Sequence, residues 1–239
     1  MGVPCLKVDK KQLSGDGDLS HEGMAASGKT GSDSSTLFVN AAGLWIDERS
    51  GSENAALMGA QAGLTQRTDG FTVTVGGGMF NYSELDGAIY NDSFYGNTST
   101  GPEGDEVFMY DYKLVELFAE LGFEISDRPV MVFAEFVKNT EADEDEQGYM
   151  FGAKLNKAKK KGTWALGYSF RELQADAVMG ALTHSDFAGG GTDGKGHMFN
   201  FAYQVAPKAQ FALTYLVNTR GIENGVDYRR VQADMKFKF

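Results

Sequence analysis

The last stretch of the chain, Asp227 to Phe239, reads DYRRVQADMKFKF, and it limits the fold more than any other feature. Val231, Ala233, Met235, Phe237 and Phe239 alternate without a break with Gln232, Asp234, Lys236 and Lys238. Strand side chains alternate with period two, so this is a strand with one apolar and one charged face. It is about as long as a tilted bilayer-crossing strand needs to be, roughly 9–11 residues. Phe239 would then sit in an interfacial aromatic girdle. The last strand of a soluble β-sandwich shows the same alternation, so the other strands must decide.

They repeat the pattern. Strands are predicted over Leu37–Ile46, Ala55–Gln66, Phe71–Tyr82 and Val107–Ile125, with another beginning at Val130. Further strands follow over Gly148–Lys157 and Thr163–Ala175, then around Phe199–Val205 and Phe211–Asn218. Within Val107–Ile125, KLVELFAEL has the propensity of an amphipathic helix. Its apolar residues nevertheless recur at steps of two, from Val115 to Ile125, rather than three and four. Gly76 to Gly78 inside a strand marks a bend or a close backbone approach. Residues 1–34 are weakly patterned, with Cys5–Leu13 and Glu22–Thr30 as two candidate strands, and residues 35–239 form the strand-rich body.

The connections alternate too. Turns near 67–70, 126–129, 158–162 and 206–208 are short, while loops near 83–106, 140–147, 176–196 and 219–226 are longer. Short turns on one rim and long loops on the other are how outer-membrane barrels are built. The apolar face carries both tryptophans, whereas the opposite face carries charges unsuited to a dry core. The expected fold is all-β, an antiparallel up-and-down transmembrane β-barrel of about ten to twelve strands, here an incomplete part of a larger barrel. There is no run of 18 apolar residues for a membrane helix, but barrel strands do not produce one. A net charge of −11 argues against nucleic-acid binding. One cysteine, Cys5, excludes an internal disulfide and a multi-cysteine zinc site. Met1 to Asp18 has no apolar signal-sequence core, so the true N-terminus is expected to be missing.

Three motifs carry a resemblance: GTWALGYSFRELQADAV from Gly162, HSDFAGGGTDGKGH from His184, and the terminal RVQADMKFKF. With them the region Gly162 to Phe239 resembles the bacterial putative porin family of outer-membrane barrels. DGDLSHEGMAAS, Asp16 to Ser27, is similar to a segment from the middle of that family. The resemblance implies the C-terminal portion of a longer porin, located in the outer membrane. It also implies a water-filled channel for passive diffusion of ions and small hydrophilic solutes. The expected partners are outer-membrane lipid, the barrel-assembly machinery through the C-terminal strand ending at Phe239, and a homo-trimer.

In that reading Glu116, Glu120, Glu124, Glu135, Lys154, Arg171, Arg230, Asp234 and Lys236 line the pore. Carboxylates dominate the run 116–135 and cations the last strand, giving a field across the bore. Trp164, Phe199, Phe201, Tyr203, Leu213, Tyr215, Phe237 and Phe239 face the membrane. The loop at 176–196 is a candidate to fold inward as a constriction. Its His184 and Asp186, with nearby His197, have no compact metal-site spacing, so neither metal nor cofactor is expected. GGG at 189–191 lacks the lysine and following helix of a phosphate loop. No nucleophile–histidine set stands out, which argues against an enzyme. Two rival readings are a non-conducting structural or anchoring barrel and a soluble β-sandwich that binds carbohydrate.

Overall fold

The computed structural model describes residues 23–47, 54–90 and 93–238. Cys5–Leu13, Met1–Asp18 and the final Phe239 lie outside the described residues. Among the described residues there are thirteen strands, eleven of them in one antiparallel sheet. These are β1 (Gly23–Gly31), β2 (Ser35–Asp47), β3 (Ala55–Arg67), β4 (Phe71–Ser83), β7 (Tyr112–Ile125), β8 (Arg128–Asn139), β9 (Gln147–Leu155), β10 (Trp164–Leu173), β11 (Gly194–Ala206), β12 (Ala209–Arg220) and β13 (Val226–Phe237). Each pairs with its predecessor, and β1 and β13 are the two unpaired edges among the described residues. The remaining pair, β5 (Ser99–Thr100) and β6 (Val107–Phe108), is a small hairpin inside the loop between β4 and β7.

The strand predicted over Val107–Ile125 is therefore two elements. Asp111 breaks it, because its Oδ1 accepts the backbone N–H groups of Leu85 and Asp86 at 2.9 and 3.1 Å. Val107 and Phe108 consequently belong to the loop. The short connections 68–70, 126–127 and 207–208 lie at one end of the sheet and the long ones 84–111 and 174–193 at the other, but 156–163 at the short end runs eight residues, longer than 140–146 and 221–225 at the long end. At the short end Ser126 and Asp127 make a two-residue hairpin, both left-handed with φ of 48° and 61°. That is the turn whose twist matches paired strands.

One face of the sheet, called outer here, is apolar from strand to strand. Phe71 pairs with Phe123, and the row continues through Val130, Leu155, Leu166, Phe201 and Leu213 to Ala233. Many of its large residues are open to the surroundings, among them Leu117, Leu166, Phe199 and Phe237. Aromatic rings gather at two levels. Towards the loop end Phe151, Phe170, His197 and Tyr168 lie within 5.1–5.9 Å of one another in sequence, and Tyr168 also meets Phe199 at 5.3 Å. Towards the turns Trp164 pairs with Tyr203, and Tyr203 with Phe211. A soluble protein rarely leaves so large a contiguous apolar surface uncovered.

The inner face differs from expectation at its loop end. Leu44, Leu57, Phe80, Leu114, Val137 and Leu173 form a buried apolar core there with Val178, Met179 and Leu182 of the loop between β10 and β11. The charges on this face predict that it holds no dry core. Its loop end is dry because the loop folds over it and supplies matching apolar side chains. The glycines of β4 have a related purpose. A Cβ on Gly76 would stand 2.4 Å from Cζ of Phe118 and 2.5 Å from the carbonyl oxygen of Ala62. Gly63 is covered in the same way by Phe38, and the Phe38 and Phe118 rings stack at 6.3 Å. These glycines let aromatic rings lie flat along the wall. Gly76→Val is expected to cost about 1–3 kcal/mol by overpacking, read as a lower unfolding midpoint in detergent; an unchanged midpoint would show that the rings are free to move.

Candidate functional site: the inner face and its inward loop

The connection between β10 and β11, residues 174–193, is the centre of the site. It contains two single 3₁₀ turns, Gly180–Leu182 and Phe187–Gly189. Gly189, Gly190 and Gly191 all have φ near +90°, which L side chains rarely adopt. The GGG run is thus a chain reversal. A Cβ on Gly191 would stand 2.1 Å from the carbonyl oxygen of Tyr95, so a side chain there is excluded.

The root of the loop is bolted to the loop between β4 and β7. Asn97, 6% exposed, donates from Nδ2 to the carbonyls of Ala175 (2.6 Å) and Val178 (2.8 Å). Its Oδ1 accepts the Gly180 N–H at 2.7 Å. Asp176, 1% exposed, accepts from the Thr98 N–H and the Tyr112 hydroxyl at 3.0 Å each, and from the Thr98 hydroxyl. Buried polar groups with every bond made give a rigid junction. Sequence reading missed Asn97, Thr98, Tyr112 and Asp176. Asn97, Thr98 and Asp176 lie in loops read as polar, where no periodicity marks them, and Tyr112 was read only as part of the strand Val107–Ile125.

The tip of the loop rests on the last strands. Asp186 holds Arg230 Nη1 at 2.8 Å and accepts from Gln232 Nε2 at 2.8 Å, so both residues come from β13. The Ala188 N–H donates to Asn218 Oδ1 of β12 at 3.2 Å. The Cζ of Arg171 lies 4.9 Å from the Phe187 ring centroid. His184 belongs to this loop, where its Nδ1 accepts the Asp186 N–H at 3.2 Å. His197 points to the outer face, with its Nδ1 3.0 Å from the Tyr168 hydroxyl. The wall therefore separates His197 from the Asp186 carboxylate. Among the described residues no group of three His, Cys, Asp or Glu side chains could hold a metal ion.

All nine charged residues singled out from the sequence lie on the inner face. Glu116 is 2% exposed and accepts from Gln61 Nε2 at 2.9 Å. Glu135 and Arg171 are also buried, each directly across from Met150 on β9, one on either side of it. Two strand spacings, about 10 Å, thus separate their backbones. Glu120 is half-buried, while Glu124, Lys154, Asp234 and Lys236 are exposed towards the turn end. The Lys154 ammonium lies 5.6 Å over the Phe133 ring. Trp164, Phe199, Phe201, Tyr203, Leu213, Tyr215 and Phe237 all lie on the outer face by register.

The model of the family described as "Putative porin" matches residues 110–239. The chain belongs to that family. The match covers β7 to β13, including the inward loop and the strands its tip rests on. No curated protein matches the chain. Among the described residues no helix is long and apolar enough to cross a membrane.

The rim at the long-loop end of this family member is acidic. Protein packed around Asp145, together with the carboxylates of Asp193, Asp176, Glu223 and Glu144, holds the Asp145 carboxyl above the usual range. A raised native pKa means the folded form holds the proton more tightly than the unfolded one, so stability falls as pH rises from the usual carboxylate range through the raised value. Asp145→Asn is expected to flatten that slope in detergent unfolding across the acid-to-neutral range. Asparagine tolerates the left-handed φ of 50° at this position. An unchanged slope would contradict the crowding of charge.

Proposed function

We propose that the inner face is the wall of a water-filled channel in the bacterial outer membrane. It passes ions and small hydrophilic solutes by diffusion, and residues 174–193 form its constriction. The observation that carries this reading is the contrast between the two faces over eight consecutive strands. The outer row from Phe71 to Ala233 is apolar at every position. The inner side bears Glu120, Glu124, Lys154, Arg230, Asp234 and Lys236 within the same span. Glu116, Glu120, Glu124 and Glu135 on β7 and β8 stand apart from Arg230 and Lys236 on β13, which gives the passage a transverse field.

The whole protein purified in detergent and placed in a planar bilayer should give ohmic conductance steps. Their absence from correctly folded protein would contradict the proposal. A non-conducting anchoring barrel is the second reading, and one observation favours it. The apolar core and the Asn97–Asp176 junction fill the loop end of the inner face, as side chains fill small barrels. A soluble sandwich is disfavoured, because among the described residues no second sheet covers the outer face. In this reading the partners are outer-membrane lipid, the assembly machinery at the C-terminal strand, and further copies of the chain in a trimer. No step of the proposed function calls for a cofactor.

A further inference from the structure

Arg171 stands on β10 at the level where the inward loop touches the wall, and it is 3% exposed. Its Nε and Nη2 atoms are buried and have no hydrogen-bond partner among the described residues. Those two nitrogens form one edge of the guanidinium, the pair of parallel donors that matches a carboxylate or phosphate. On the two flanking strands, no side chain facing Arg171 carries an oxygen acceptor. Directly across are Met150 and Gly196, and the diagonal positions are Gly148, Gly152, Gly194 and Met198. Glu135, beyond Met150, is the carboxylate whose charge the guanidinium feels. The Phe187 ring covers one side of the group. It holds the guanidinium in place and keeps water from that side, as stacking on arginine does.

Burying a cation with two unmet donors is costly, and a wall that needed only bulk or polarity at position 171 could have it without that cost. We infer that the Nε–Nη2 edge of Arg171 is an oxyanion site at the constriction, which takes the carboxylate or phosphate group of a solute in transit. The inference rests on the reading of the inner face as a solute passage, and it makes Arg171 a specificity-determining residue of that passage. The ligand group would bind in the plane of the guanidinium, beside the Phe187 ring. Glu135 would disfavour a second anion at the same level.

Single-channel current through the whole protein in potassium chloride tests it, with sodium acetate or inorganic phosphate added to one side. The wild type should show brief current interruptions whose frequency rises with the added anion. Arg171→Lys keeps the charge and the contact with Phe187 but loses the paired donors. It should still form an open channel, with interruptions shortened about tenfold or more. Phe187→Leu removes the ring that holds the guanidinium but leaves the donor edge, and should shorten them less than Arg171→Lys does. Interruptions with acetate alone would assign the site to carboxylates, and with phosphate alone to phosphates. Equal interruptions in wild type and Arg171→Lys would overturn the inference, as would none in a conducting wild type. If the folded protein carries no current, the channel reading fails and the site is decided separately. Phosphate or acetate must then raise the unfolding midpoint of the wild type in detergent more than that of Arg171→Lys, and equal shifts overturn the site.

Discussion

Arginine in place of Leu213 or Phe201 is expected to lower the unfolding free energy of the membrane-folded protein by about 2–4 kcal/mol. The two residues face one another across β11 and β12, in the middle of the apolar row that runs from Phe71 to Ala233. A guanidinium placed there either loses its water or distorts the bilayer. Thr214 and Asn200 also pair across the same strands, one position along and on the other face. The Thr214 hydroxyl donates to Asn200 Oδ1 at 3.0 Å. Arginine at either position gives up that one bond, at about 1 kcal/mol, and projects to the charged side. A reversible unfolding titration in lipid or detergent gives all four values. Equal costs on the two faces would reject the assignment of outer and inner.

The second large effect is expected at Asn97. Alanine there removes the donors to Ala175 and Val178 and the acceptor of Gly180, and leaves three backbone groups buried without partners. Each orphaned group costs about 1–3 kcal/mol, and partial relaxation should leave a total of about 2–4 kcal/mol. The loss should concentrate in the loop, because Asn97 makes none of the ladder bonds of the large sheet. Limited proteolysis should therefore cut within residues 174–193 in Asn97→Ala, with the sheet still protected. If the loop is the constriction, the same variant should conduct more than the wild type and more noisily. A loop as protease-resistant as the wild type's would mean that the apolar contacts of Val178, Met179 and Leu182 suffice to hold it.

The strands were legible because their signal is local. From Val115 to Ile125 or from Phe199 to Val205, each residue's face follows from counting by two, and pairing with a neighbour cannot change it without flipping the whole strand. The two longest loops, between β4 and β7 and between β10 and β11, were equally readable. What the loops do was not. Leu44, Leu57, Phe80 and Leu114 are apolar on the side that bears charge elsewhere, and their role needs a cover that arrives from a segment 60 or more residues away. The joining of Asn97 to Ala175, Val178 and Gly180 spans 78 to 83 positions in a region without periodicity. The break at Asp111 within an apolar run had the same cause, a side chain that caps backbone groups 25 and 26 residues earlier. The charged residues of β7, β8, β10 and β13 could be assigned to a face from sequence. The burial of Glu116, Glu135 and Arg171 could not, because strand alternation carries no information on what lies above the sheet.

A channel wall meets lipid on one face and water on the other, and β12 allows that to be measured position by position. With Cys5 replaced by serine, single cysteines from Phe211 to Thr214 and at Tyr215 and Val217 can carry a nitroxide in lipid vesicles. Collision with oxygen, which partitions into lipid, should be high at 211, 213, 215 and 217. Collision with a water-soluble nickel complex should be high at 212 and 214. Alternation with period two in those phases is the predicted result. Uniform accessibility along the strand, or water-soluble reagent favouring 211, 213 and 215, would contradict a membrane wall built from this sheet.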